Sequence, residues 1–244
     1  MKIRFVILAA MLFSALKTGA EFVTLTTPPN AVTQLGNIEI VPFQWPIYQQ
    51  WFDASMFSSI PGGATQIQDI AFRVSPQSHS FSSTLVGPVM IQFSTTTRTL
   101  SSLSPIYTEN VGNDNQVFSP YRELSFSSGG AGIHAWTLSA HSQELGKGFF
   151  YDPSKGNLLM TVYGLTLPPA DVRIGLDGIR GSPLMGSVQF PDGNGEHGVV
   201  SSDAFVMLMA FTVPEPSTFA LFLLGFIGLI SRPYLRRKES HVTA

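Results

Sequence analysis

Two short apolar runs bracket this chain, Phe5–Phe13 near its start and Phe219–Ile230 near its end. Whatever folds in water is confined to the roughly 190 residues between them, enough for one domain with a substantial core. Neither run comfortably crosses a hydrocarbon core of about 30 Å as a regular helix.

The first run sits in a tripartite leader. Lys2 and Arg4 form a basic lead-in, Phe5–Phe13 the apolar segment, and Thr18-Gly19-Ala20 a small-residue ending. That order is the pattern of a secretory signal peptide, with cleavage expected between Ala20 and Glu21. A buried helix or a membrane anchor would not need the same order of basic, apolar and small residues.

The second run is also one part of three. Val213-Pro214-Glu215-Pro216-Ser217-Thr218 precedes it, and Arg232, Arg236, Arg237 and Lys238 follow it. Pro214 and Pro216 fix φ and cannot donate to a sheet ladder, so this stretch is expected to stay extended and open to an enzyme. The apolar run is expected to insert as one transmembrane helix of roughly 20 Å, which snorkelling arginines can lengthen. The basic cluster would hold the last residues in the cytoplasm, leaving the intervening domain outside.

This tail resembles the PEP-CTERM sorting signal of Gram-negative bacteria over residues 213–238. The sorting motif itself is Val213, Pro214, Glu215 and Pro216. The resemblance implies an exosortase, a polytopic membrane protease-transpeptidase, as processing partner. It further implies an inner-membrane intermediate and a final place at the cell surface or in the extracellular matrix. A single-span anchor that is never cleaved is the simpler alternative, disfavoured by the short span. Pro233 interrupts the basic end, a departure from the pattern. A GPI-type signal has a similar layout but no basic cytoplasmic tail.

The formal charge of −2 hides an asymmetry. Lys2, Arg4 and Lys17 leave with the leader and four basic residues lie in the tail. Of the 16 acidic residues only Glu239 lies beyond Ser231. The region from Glu21 to Ser231 therefore keeps seven basic and fifteen acidic residues, a balance near −8. Nucleic-acid binding needs a basic footprint and is disfavoured on that ground. The absence of cysteine excludes disulfides, thiolate metal sites, a cysteine nucleophile and a lipoprotein anchor.

Between the signals the chain reads as short strands separated by turn clusters, with no long helical pattern. Strands are expected at Phe22–Thr27, Ile67–Val74, Val89–Ser94, Glu123–Ser127, Ile133–Ser139, Asn157–Tyr163, Asp171–Leu176, Gly186–Phe190 and Ala204–Thr212. Ile70, Phe72 and Val74 share one face and Asp69, Ala71 and Arg73 the other, the alternation of a half-buried strand. The run from Phe205 to Phe211 is apolar on both phases, which predicts a central strand covered on both sides. Pro61-Gly62-Gly63, Gly112-Asn113-Asp114-Asn115, Gly129-Gly130, Pro168-Pro169 and Asp192-Gly193-Asn194-Gly195 punctuate the pattern. The expectation is an all-β fold, an antiparallel, jelly-roll-like β-sandwich over residues 21–212. It is flanked by the signal peptide (1–20) and the sorting signal (213–238).

The domain also resembles a recurrent exported domain found ahead of this sorting signal, over about residues 45–165. The matching stretches are Ile70-Ala71-Phe72-Arg73, Ser94-Thr95-Thr96, Asn110-Val111-Gly112-Asn113-Asp114 and Phe149 to Leu159. The resemblance brings no known activity. Such domains often carry Asp where this chain has Thr161.

Chemistry-bearing motifs are sparse. His79, His134, His141, His197 and His241 make no ligand spacing, and His134, beside Trp136 in an expected strand, reads as a packing or surface histidine. No Gly-x-Ser-x-Gly elbow occurs, and no carboxylate pair can be assigned acid and base roles. Asp192, Asn194, Glu196, Gly198 and Asp203 fall at the oxygen-ligand places of a twelve-residue calcium loop. His197 stands where that loop needs Gly and no helices flank it, so a plain exposed hairpin loop is the preferred reading. Asn113-Asp114-Asn115 reads as a turn. Trp45, Tyr48, Trp51 and Phe52 could stack on sugars, but core filling explains them more simply.

The sequence therefore predicts an exported envelope or extracellular-matrix protein that is not an enzyme and needs no cofactor. One alternative is a carbohydrate-binding module working in the exopolysaccharide, which requires an exposed set of aromatics. A secreted hydrolase would require convergent carboxylates or a Ser-His pair.

Overall fold

The computed structural model describes residues 21–40, 45–60, 65–76, 81–128, 136–141, 148–164 and 175–213. The signal peptide and the transmembrane segment expected from the sequence lie outside them. The chain divides into two compact units, and Phe22–Thr212 is the β-domain.

Turn residues and β-branched or aromatic runs alternate along the chain, and strands form accordingly. They are β1 (Glu21–Thr27), β2 (Ile38–Ile40), β3 (Ile47–Phe52), β4 (Thr65–Arg73), β5 (Phe81–Thr96), β6 (Gln116–Ser128) and β7 (Trp136–His141). There follow β8 (Phe149–Tyr151), β9 (Asn157–Tyr163), β10 (Leu176–Arg180), β11 (Met185–Phe190), β12 (Val199–Ser201), β13 (Asp203–Phe205) and β14 (Met207–Val213). Among the described residues the only helical elements are short 3-10 turns, and none is long and apolar enough to cross a membrane. Two of these turns are seeded by aspartates: Asp53 accepts from Ser55 N and Asp152 from Ser154 N.

The strands form three sheets. One runs β12-β11-β3-β9-β5-β6, a second β1-β14-β4-β7 with β8 also paired to β4, and a third, smaller one β13-β10-β2. Their resolved registers are antiparallel, for example Tyr48 opposite Val162 and Gln189, and Met209 opposite Ile70. The architecture is all-β with antiparallel sheets, as expected. The two larger sheets face each other across an aromatic core. Phe93 of β5 stacks on Phe149 of β8 at 5.8 Å. Phe57, in the turn after β3, meets Phe52, Tyr151 and Phe211 at 6.5, 5.0 and 6.0 Å. Such edge-to-face contacts add to the burial term that drives sheet packing.

The outward face of the six-stranded sheet is not left to solvent. Ile47, Trp51, Leu159, Val188 and Phe190 form a second apolar cluster with Leu103, roofed by Leu100, Tyr107 and Val111. The roof is the segment 97–115 between β5 and β6. Arg98 shapes it, its guanidinium donating to Glu109 O at 3.1 Å and Ser102 O at 3.0 Å while its carbonyl accepts from Trp51 Nε1 at 2.8 Å. Roofing on one side and the sandwich core on the other explain why all six residues of β3 are buried. The sequence reading placed no strand at Ile47–Phe52.

Two other departures have physical causes. The apolar run expected as one strand, Ala204–Thr212, breaks at Val206 into β13 and β14, which belong to different sheets. Its double-phase apolarity marks a corner where the chain changes sheets; within β14, Met207, Met209 and Phe211 are buried while Leu208, Ala210 and Thr212 are only half-buried. On β4 the face carrying Arg73 is not wet: Arg73 is fully buried. Of the strand expected at Asp171–Leu176 only the end is described, and β10 begins at Leu176.

β14 lies between β1 and β4. Thr27, the last residue of β1, bonds Met207 O at the start of β14. Two paired strands that meet end-to-start in this way run in opposite directions, so the chain enters and leaves the domain at one end.

Candidate functional site

The feature with the clearest chemical address is the exit from β14. Thr212 is fastened to β4 from several directions: Thr65 Oγ1 donates to its carbonyl at 2.8 Å, and its own hydroxyl lies 3.4 Å from both Gln66 O and Gln68 Nε2. Gln68 in turn donates to Gln66 Oε1 at 2.7 Å. The described part of β14 closes at Val213; the next residue in the sequence, Pro214, has no N–H to donate to a sheet ladder. The last fastened residue and the first residue of the Pro-Glu-Pro stretch are thus two positions apart.

A family model described as the PEP-CTERM protein-sorting motif matches residues 212–238. The chain carries a PEP-CTERM sorting motif. It begins on the fastened end of β14, so no linker separates the domain from its sorting signal. The PEP-CTERM motif marks the chain as exported and targeted to an exosortase, bound across the membrane for the cell surface. No curated protein and no solved structure matches the chain. Of the residues expected to carry the sorting chemistry, Val213 closes β14 and Glu21 opens β1. Ala20, Pro214, Glu215, Pro216, Arg232, Arg236, Arg237 and Lys238 lie outside the described residues.

Two of the oxygen ligands expected in the 192–203 loop are engaged in the domain's own hydrogen bonds. Asn194 Oδ1 accepts from Glu196 N at 2.9 Å, a turn bond. Asp203 is held on β13 by Arg180, whose Nε and Nη2 each donate to one carboxylate oxygen at 2.8 Å. That fork geometry, with its hydrogen bonds first and its charge second, raises the Arg180 pKa. Among the described residues no three His, Asp or Glu side chains converge on a point. The loop instead buttresses the roof: Gly195 O accepts from Tyr107 N and Pro105 O from Gly198 N, both at 2.7 Å.

The aromatics singled out in the sequence are core residues. Tyr48, Trp51 and Phe52 are 2% exposed or less, and Trp45 is half-buried, stacked 6.1 Å from Tyr48. Burial drives the Tyr48 hydroxyl far above the ordinary tyrosine range, and it donates to Gln50 Oε1 at 2.9 Å. His134 and His79 lie outside the described residues, and His197 is exposed.

What sequence reasoning missed is a set of buried polar residues. Gln50 and Gln49 on β3, Asn110 in the roof, and Arg73 with Asp177 are all fully buried. Asn110 Nδ2 donates to Gln49 Oε1 at 2.9 Å and its Oδ1 accepts from Ser104 N at 2.8 Å, tying roof to sheet. Arg73 donates to Ala31 O and, at 2.9 Å, to Gln34 O, clamping the segment between β1 and β2. The one available signal was placement: Gln49-Gln50 between apolar residues, and Arg73 inside an apolar strand.

Proposed function

We propose that residues 21–212 form a non-enzymatic component of the cell surface or extracellular matrix. In this reading the signal peptide 1–20 starts export and is removed before Glu21. The helix over Phe219–Ile230, with Arg232, Arg236, Arg237 and Lys238 behind it, stalls the chain in the inner membrane. An exosortase then processes the Pro214-Glu215-Pro216 stretch.

One observation carries the reading: the sorting motif starts at the fastened end of β14. Support for a structural role comes from how the polar groups are used. Gln50, Arg73, Asn110 and Asp203 each bind other parts of the same domain. Groups so engaged hold the fold rather than wait for a substrate.

The test is Pro214→Ala with Pro216→Ala in a host that has the processing enzyme. The helix and basic tail are untouched, so insertion proceeds, but maturation stops and a C-terminal tag persists in the inner membrane. Normal maturation of the double variant would refute recognition through the prolines.

A further inference from the structure

The roof over the six-stranded sheet stops short. It covers β11, β3 and β9, but at β5 and β6 the outward face opens, and Val117 and Tyr121 are 45% and 56% exposed. Gln92 of β5 lies opposite Val117 of β6 and so shares its face. Tyr163, at the end of β9, donates its hydroxyl to Gln92 Oε1 at 3.1 Å and sits edge-on to the roof's Tyr107, ring centroids 5.8 Å apart. Tyr121 reaches across Gly164, where φ is +80° and a Cβ would lie 2.8 Å from Tyr121 Cε1. Asn115, at the roof's end, donates to the same Gln92 Oε1 at 2.9 Å. The result is a step: Gln92, Val117, Tyr121 and Tyr163 make its floor, Tyr107 and Asn115 its wall.

The groups on this step have capacity to spare. The nearest acceptor to Gln92 Nε2 is Met90 Sδ at 3.9 Å, a weak one. Among the described residues neither Asn115 Oδ1 nor the Tyr121 hydroxyl has a hydrogen-bond partner. Two planar amides beside the exposed ring of Tyr121 and the half-buried ring of Tyr163 match the two kinds of surface on a pyranose. Its C–H face stacks on an aromatic ring, and its vicinal hydroxyls each give and accept a hydrogen bond. The region from Glu21 to Ser231 carries seven basic and fifteen acidic residues, which repels polyanions.

We infer that this step is a binding site for a neutral polysaccharide, the pyranose lying on Tyr121 and Tyr163 and hydrogen-bonded by Gln92 and Asn115. The inference rests on the surface-sorting reading only for where such a polymer is met. Binding is measured on the isolated protein, so its failure leaves sorting intact, and a sorting failure leaves the site intact.

The experiment is native affinity electrophoresis of the full chain in detergent, in gels containing a soluble glucan, galactan or mannan, with polygalacturonate as the acidic control. The expected result is retardation by at least one neutral polymer. Tyr121→Ala should weaken it roughly tenfold, as for loss of a stacked ring and its contact area. Tyr121→Phe, which keeps the ring, should bind nearly as the parent does, and Gln92→Ala should weaken binding at an unchanged thermal midpoint. No retardation by any of the three, retardation by polygalacturonate alone, or retardation undiminished in Tyr121→Ala with Gln92→Ala would overturn the proposal.

Discussion

The side-chain amide of Gln50 pairs in both directions with the peptide of Phe205: Nε2 donates to Phe205 O and Oε1 accepts from Phe205 N, each at 2.9 Å. A side chain of one sheet thus stands in for a strand partner at the corner where β13 gives way to β14. Val206 N donates to Asp177 O at 2.9 Å and Val206 O accepts from Arg73 N at 3.1 Å, completing the corner.

Gln50→Ala should therefore leave a buried donor and a buried acceptor on Phe205 without partners. At about 1–3 kcal/mol for each orphaned group, the loss should be about 2–6 kcal/mol in urea unfolding. A change under about 0.5 kcal/mol, the usual range for surface substitutions, would show that the corner does not depend on this pair.

How legible this was in the sequence differs by scale. Period-two alternation read the all-β class correctly, and Phe22–Thr27 and Asn157–Tyr163 correspond closely to β1 and β9. The tail was legible because its three parts are contiguous. The corner was not: an apolar run that changes sheets looks the same along the chain as one buried on both faces. β3 was hidden for a related reason, since Gln49-Gln50 breaks its apolar pattern and the partners that justify those glutamines lie 58 to 155 residues away. The tyrosine step was equally hidden, because its residues come from three strands and the roof.

Arg73 and Asp177 form a fully buried ion pair, Arg73 Nε donating to Asp177 Oδ2 at 2.7 Å, while Asp177 Oδ1 is buried without a partner. Removing one partner strands the other charge. Asp177→Ala should cost about 3–5 kcal/mol, enough to unfold a marginal domain. Asp177→Asn keeps an acceptor for Arg73 and for Gly36 N, which donates at 3.0 Å, and should cost less. Equal losses in the two variants, by denaturant unfolding, would show that the retained acceptor contributes nothing and that the carboxylate's charge carries the whole interaction.

The Arg180 fork on Asp203 bears on calcium. With that carboxylate engaged, thermal melts in calcium and in chelator should coincide. A rise of several degrees with calcium would mean that the ion competes Asp203 away from Arg180 and binds the native loop, since only native-state binding raises the midpoint.

The measurement closest to the central claim is the intact mass of the exported protein, recovered from the surface fraction of a host that has the processing enzyme. The account predicts a chain that begins at Glu21 and lacks Phe219 to Ala244. A mass that includes the apolar run and the basic tail in every fraction would contradict it, and would make the segment a permanent anchor.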